Sequence, residues 1–188
     1  DPSSTTSTAQ YNVAIGTTAL DAVTTGDSNV AIGYNAMTAA TSSTGSVAIG
    51  DSAFSSHTTS NLQGVAIGFN AGKDVSTGLF NTLIGYKAGV SLTTGDSNIA
   101  IGHNALQTAS SGTSNNIAIG LNALYYHQAN EDSDNVAIGY RAGQGVTTGQ
   151  ENILIGSDVG YNMTSGLNNI AIGHMALYTN ADGDGVVA

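Results

Sequence analysis

The sequence predicts an all-β chain, a parallel β-solenoid or β-roll of ten coils, and three observations carry that reading. An Ile-Gly pair recurs at Ile15, Ile32, Ile49, Ile67, Ile84, Ile101, Ile119, Ile138, Ile155 and Ile172, at intervals of 17 to 19 residues. The residues leading into each pair alternate with period two, which is a strand signal. Between strands lie glycine-containing turns such as 24–29 (TTGDSN) and 147–152 (TTGQEN).

The strand comes first in each unit. Val or Ile stands two residues before the repeated Ile, with Thr82 the exception, and Ala stands between them except at Leu83 and Leu154. Branched residues at alternate positions favour a pleated strand over a helix. Asn precedes the strand at Asn12, Asn29, Asn81, Asn98, Asn116, Asn135, Asn152 and Asn169, with Ser46 and Gly64 in the other two repeats. Stacked in parallel about 4.8 Å apart, ten such units form a rod of roughly 45 Å. Ile then lies on Ile and Asn on Asn, and an amide ladder is expected along the rod.

Past each glycine the chain is expected to bend, run through a short second strand and turn. Ala follows the glycine by three residues, Val159 being the departure. The next position divides the repeats into two types: Leu20, Met37, Phe54, Leu106, Leu124 and Leu177 against Gly72, Gly89, Gly143 and Gly160. In the glycine type a hydrophobe arrives three residues later, at Val75, Leu92, Val146 and Met163, as if filling the same interior space from another point. Extra length falls in turns, as at 125–135, and not in strands. Residues 1–10 read as a polar arm or linker, 11–180 as the solenoid, and 181–188 as the start of a truncated eleventh repeat.

Composition narrows the partners. Three basic residues against thirteen acidic ones leave a net charge of −10, from which no basic patch for nucleic acid can be assembled. No run approaches the length of a membrane helix, so membrane insertion is not expected, and the absence of cysteine removes disulfides and thiolate metal sites. With only 6% aromatic residues, a slender coil has little core of its own. The small face formed by Ala14, Gly16 and their counterparts is therefore expected to lie between chains, most simply three around one axis.

These units, NVAIG and SVAIG with Ala a few residues on and a glycine turn, resemble the N-x-A-I-G-Y-x-A-G repeats in the shafts of bacteriophage tail fibres. They are also similar to the β-roll heads of trimeric autotransporter adhesins, whose repeat is usually shorter. The resemblance spans Tyr11 to about Tyr178 and implies a left-handed, homotrimeric coil on a virion or cell surface. A receptor-binding tip is then expected in flanking sequence.

Candidate sites are few. Ser, His and Asp occur without a spacing that ties a nucleophile to a base, and His57, His103, His127 and His174 lie in separate coils, so no enzymatic activity, metal or cofactor is expected. The acidic groups Glu131, Asp132, Asp134 and Asp182, Asp184 match no calcium loop and read as solvated turns. One residue past the repeated glycine, Tyr34, Phe69, Tyr86, His103, Tyr140 and His174 form a row that either binds a surface ligand such as sugar rings or packs between chains. The expected role is a structural fibre shaft that supports binding of a host-surface receptor or glycan through its tip. The alternatives are a trimeric adhesin head binding through its lateral surface, a self-polymerising extracellular filament and an ice-binding solenoid. The last is disfavoured because the Thr positions give way to other residues between repeats.

Overall fold

The computed structural model describes residues 7–59, 62–109, 111–129, 132–179 and 183–188. It is a β-solenoid whose ten three-residue strands are β1 (Val13–Ile15), β2 (Val30–Ile32), β3 (Val47–Ile49), β4 (Val65–Ile67), β5 (Thr82–Ile84), β6 (Ile99–Ile101), β7 (Ile117–Ile119), β8 (Val136–Ile138), β9 (Ile153–Ile155) and β10 (Ile170–Ile172). They form one parallel sheet in sequence order. Pairing is in register throughout, so that Ile15 lies beside Ile32, Ile32 beside Ile49, and so on to Ile172. The chain continues the pattern at both described ends. Gln10 accepts from the Ser28 amide, and Val187 bridges to Ile170.

The expected second strand is replaced by turns. After each glycine two residues take left-handed backbone angles, for example Asn35 at φ 55° and Met37 at φ 52°, or Asn104 at 57° and Leu106 at 52°. A strand cannot contain such residues, and each costs an L-amino acid about 1–2 kcal/mol. The second of these positions is the one where Leu, Met or Phe alternates with Gly: Gly72, Gly89, Gly143 and Gly160 sit at φ 57–58°. Its cost is offset where the side chain is buried, since Met37, Phe54, Leu106 and Leu124 are fully inside and burial of a large apolar side chain contributes about 1.5–3 kcal/mol. Backbone hydrogen bonds still pass from coil to coil here, as from the Met37 amide to the Ala53 carbonyl at 3.0 Å.

The glycine after each Ile is dictated by contact as well as by angle. Gly102 has φ +135°, and a Cβ there would stand 2.6 Å from the Gly120 carbonyl oxygen; the glycines before and after it stack in the same way. The small-residue face thus meets a second backbone, but that backbone is the next coil of the same chain. The strand alanines Ala31, Ala48, Ala66, Ala100, Ala118, Ala137 and Ala171 are wholly buried inside the coil. This overturns the expectation that the Ala/Gly stripe lies between chains. The strand contributes only its small residue to the interior, and the larger buried side chains, such as Met37, Phe54 and Leu106, come from the turns.

Volume inside is balanced between neighbouring coils. Leu83 and Leu154, the two inward-facing strand residues larger than Ala, each lie where consecutive coils carry Gly at the left-handed position. A Cβ on Gly72 or Gly89 would approach Leu83 to 2.7 or 2.8 Å, and one on Gly143 or Gly160 would approach Leu154 to 2.9 or 3.1 Å. The same arrangement recurs four coils later: Phe54 and His57, Val75, Leu83 and Leu92 are matched by Leu124 and His127, Val146, Leu154 and Met163, all buried.

The Asn ladder supplies the polar part of the interior. Asn98 Nδ2 donates to Asn81 Oδ1 (3.1 Å) and to the Thr113 carbonyl (2.8 Å), while its Oδ1 accepts from the Asn116 amide and from Asn116 Nδ2. Every polar atom of that buried amide is satisfied, which is what its burial requires. The ladder runs unbroken from Asn81 to Asn169 and ends on the Val186 amide. A shorter run links Asn12 to Asn29 and to the Ser46 amide.

Candidate functional site

The strand's alternation turns the middle residue inward, so the branched pair on either side of it faces out. Ten strands present twenty outward positions, and nineteen of them are Val or Ile, with Thr82 the single polar one. Most are half-buried by their neighbours along the rod, while Ile15 and Ile172 at its two ends are 59% and 60% exposed. A continuous apolar ladder along one face is a candidate interaction surface. Its chemistry is non-directional: it can bury area against a matching flat apolar face and offers no hydrogen-bond pattern to read.

The aromatic row lies beyond the glycine bend and is exposed along its length. It is not continuous. Phe69 and Tyr86 stack with centroids 5.4 Å apart and planes 12° from parallel, and His103 meets Tyr86 edge-on at 4.9 Å. Stacked in this way, the inner rings offer edges and not faces to a ligand. Tyr34 stands apart from this group, separated from Phe69 by the coil carrying Asp51, and Ser157 separates Tyr140 from His174.

Another cluster, not evident from the repeat pattern, joins the last coils. Arg141 Nε is 2.7 Å from Asp158 Oδ1, and the guanidinium lies over Tyr140 and Tyr161 at 4.6 and 4.9 Å. Tyr161 in turn stacks on Tyr178 at 5.3 Å. The signal available in the sequence was the placement of Arg141 and Asp158 at equivalent positions one repeat apart. The cluster ties three coils together on the outside, as the Asn ladder does within.

The four histidines divide. His103 and His174 are exposed, whereas His57 and His127 occupy the same interior position, 70 residues apart, that Val75, Leu92, Val146 and Met163 fill in other coils. Burial lowers both imidazoles to about 4, against smaller opposing hydrogen bonds at Thr59 and Val146. His57 Nε2 also lies 2.9 Å from the Thr59 hydroxyl. Of the acidic turns, Glu131 and Asp182 lie outside the described residues. Asp132 and Asp134 are exposed, and Asp184 Oδ1 accepts from the Leu167 amide at 2.8 Å. Asp27 and Asp96 cap the preceding coil in the same way, through the Gln10 and Leu79 amides, which gives these turn carboxylates a structural task. Among the described residues no group of three or more His, Cys, Asp or Glu could hold a metal ion, and no helix is long and apolar enough to cross a membrane. The chain matches no protein family, no curated protein and no solved structure.

Proposed function

We propose that the chain is the shaft of an extracellular or virion-borne fibre, formed by three copies of a left-handed solenoid and supporting a receptor-binding segment elsewhere in the fibre. The observation that carries this reading is the outward Val/Ile ladder. Three such ladders facing a common axis bury one another over the whole length of the rod and add a second apolar core to the one inside each coil. The role is mechanical and not catalytic. In-register hydrogen bonds resist extension along the axis, and apolar contact between chains resists bending. Because each coil contacts only its neighbours, length can be set by repeat number without redesign of the cross-section. The tail-fibre shafts and adhesin heads that the repeat resembles imply the same assembly. The partner is thus the chain itself, with a host receptor or glycan engaged through the tip.

Sedimentation or light scattering of the purified chain, before and after mild heating, tests the assignment. A discrete trimer that survives heating supports it. A stable monomer overturns it and leaves the Val/Ile face for another partner, and open-ended polymers favour the filament alternative.

A further inference from the structure

The break in the aromatic row between Tyr34 and Phe69 is one coil wide. Tyr34 and Phe69 are 54% and 44% exposed and lie two coils apart, hence about 9.6 Å along the rod. The coil between them carries Asp51, an exposed residue too short to fill the interval. Phe69 is stacked on Tyr86 on its other side, which leaves the face toward Asp51 without a ring partner. A six-membered ring inserted between Tyr34 and Phe69 would lie about 4.8 Å from each, within the roughly 4.5–7 Å at which rings pack. At the base of the interval the Ser52 hydroxyl donates to Asp51 Oδ1 at 2.6 Å, fixing the carboxylate while Oδ2 remains to accept.

We propose that Tyr34, Asp51 and Phe69 form a slot for one pyranose unit of a neutral polysaccharide. The C–H faces of the sugar pack on the two rings, and a pair of adjacent hydroxyls donates to the Asp51 carboxylate. The net charge of −10 and the carboxylate itself select against anionic chains. The interval at Ser157 does not make a second slot of this kind. There the Arg141 guanidinium covers Tyr140, and the Ser157 hydroxyl is engaged by Asp158 at 3.2 Å. The slot lies beyond the glycine bend from the Val/Ile ladder.

Affinity electrophoresis of the whole chain through gels containing dextran, mannan or galactan tests the slot, with light scattering on each variant as a check on assembly. Retardation by at least one of these polysaccharides is expected. It is lost in Asp51→Phe, which closes the row with a ring of the kind neighbouring coils already carry, and is weakened roughly tenfold in Asp51→Asn, which keeps the shape and removes the charge. No retardation of the unmodified chain by any of the three overturns the proposal, and so does equal retardation of Asp51→Phe. A change of assembly state with sugar binding intact concerns the fibre reading alone.

Discussion

The two faces of the same three-residue strand reverse the usual distribution of bulk. Inside stands Ala, fully buried from β2 to β4, from β6 to β8 and in β10, and outside stand Val and Ile, left half-open to water. In a conventional β-sandwich the larger residues fill the space between sheets about 10 Å apart. Here these strands give the interior only their alanines, and the bulk inside comes from turn residues such as Met37, Phe54 and Leu106. The difference teaches that the inner face specifies the coil while the outer face has apolar surface to spare for association.

Neighbouring residues therefore offer the sharpest way to break the comparison. Ala100→Asp places an unpaired carboxylate in a site with no exposure and no space. It is expected to cost more than about 4 kcal/mol and to abolish the cooperative unfolding transition. Ile101→Asp, one residue on, points outward; the coil should keep its circular dichroism spectrum while the proposed trimer dissociates to monomers. Should both variants unfold alike, the outer face is as much a part of the folding core as the inner one, and the division of labour fails.

Acid tests the inner column next. His57 and His127 titrate at about 4 in the folded chain and near 6.5 when unfolded. The unfolded state thus binds more protons between these values. Each neutral ring contributes its stability fully above pH 6.5, and that contribution falls away as pH drops through 6.5 toward 4. The loss is on the order of 3 kcal/mol for His127 and smaller for His57, whose ring is less completely enclosed and better screened by solvent. Urea midpoints at pH 7 and pH 4 should differ far less in a His57→Val/His127→Val variant, since Val75 and Val146 already occupy the equivalent site. An unchanged difference in that variant would place the acid sensitivity elsewhere.

Much of this fold was legible in the chain. The period located every strand, the Asn positions located the ladder, and the exchange of Leu or Phe at one site for Val or Leu three residues later correctly indicated a shared interior space. Period two, however, is symmetric: it separates the faces of Val30-Ala31-Ile32 without saying which is inside, and the ordinary preference for burying bulk gives no help in a coil this narrow. The missed second strand has a similar origin. Leu, Met and Phe rarely adopt left-handed backbone, and the signals were the glycines at 72, 89, 143 and 160 in the same slot and the Asn at 35, 70, 104 and 122 two residues earlier. Of the candidate sites, the row of rings was legible as a row. Its division into a stack and a slot depended on ring geometry, and the Arg141–Asp158 cluster needed the third coil to bring Tyr178 against Tyr161.

The smallest effect tests whether neighbouring coils share volume. Gly89→Ala should destabilise the chain for two reasons, the left-handed backbone at φ +57° and the clash of its Cβ with Leu83 at 2.8 Å. Leu83→Ala should destabilise it by removing a fully buried side chain. In the double variant only the backbone cost of the new alanine persists, because the space vacated by Leu83 receives its methyl group. The two changes should therefore sum to less than their separate costs, with a coupling of about 1 kcal/mol. The same cycle between Leu83 and Gly143, on a coil that Leu83 does not touch, should give none. Simple additivity at the contacting pair would mean that the co-occurrence of strand leucines with paired glycine coils is a trace of the four-coil repetition alone, and that each coil tolerates its contents independently of the next.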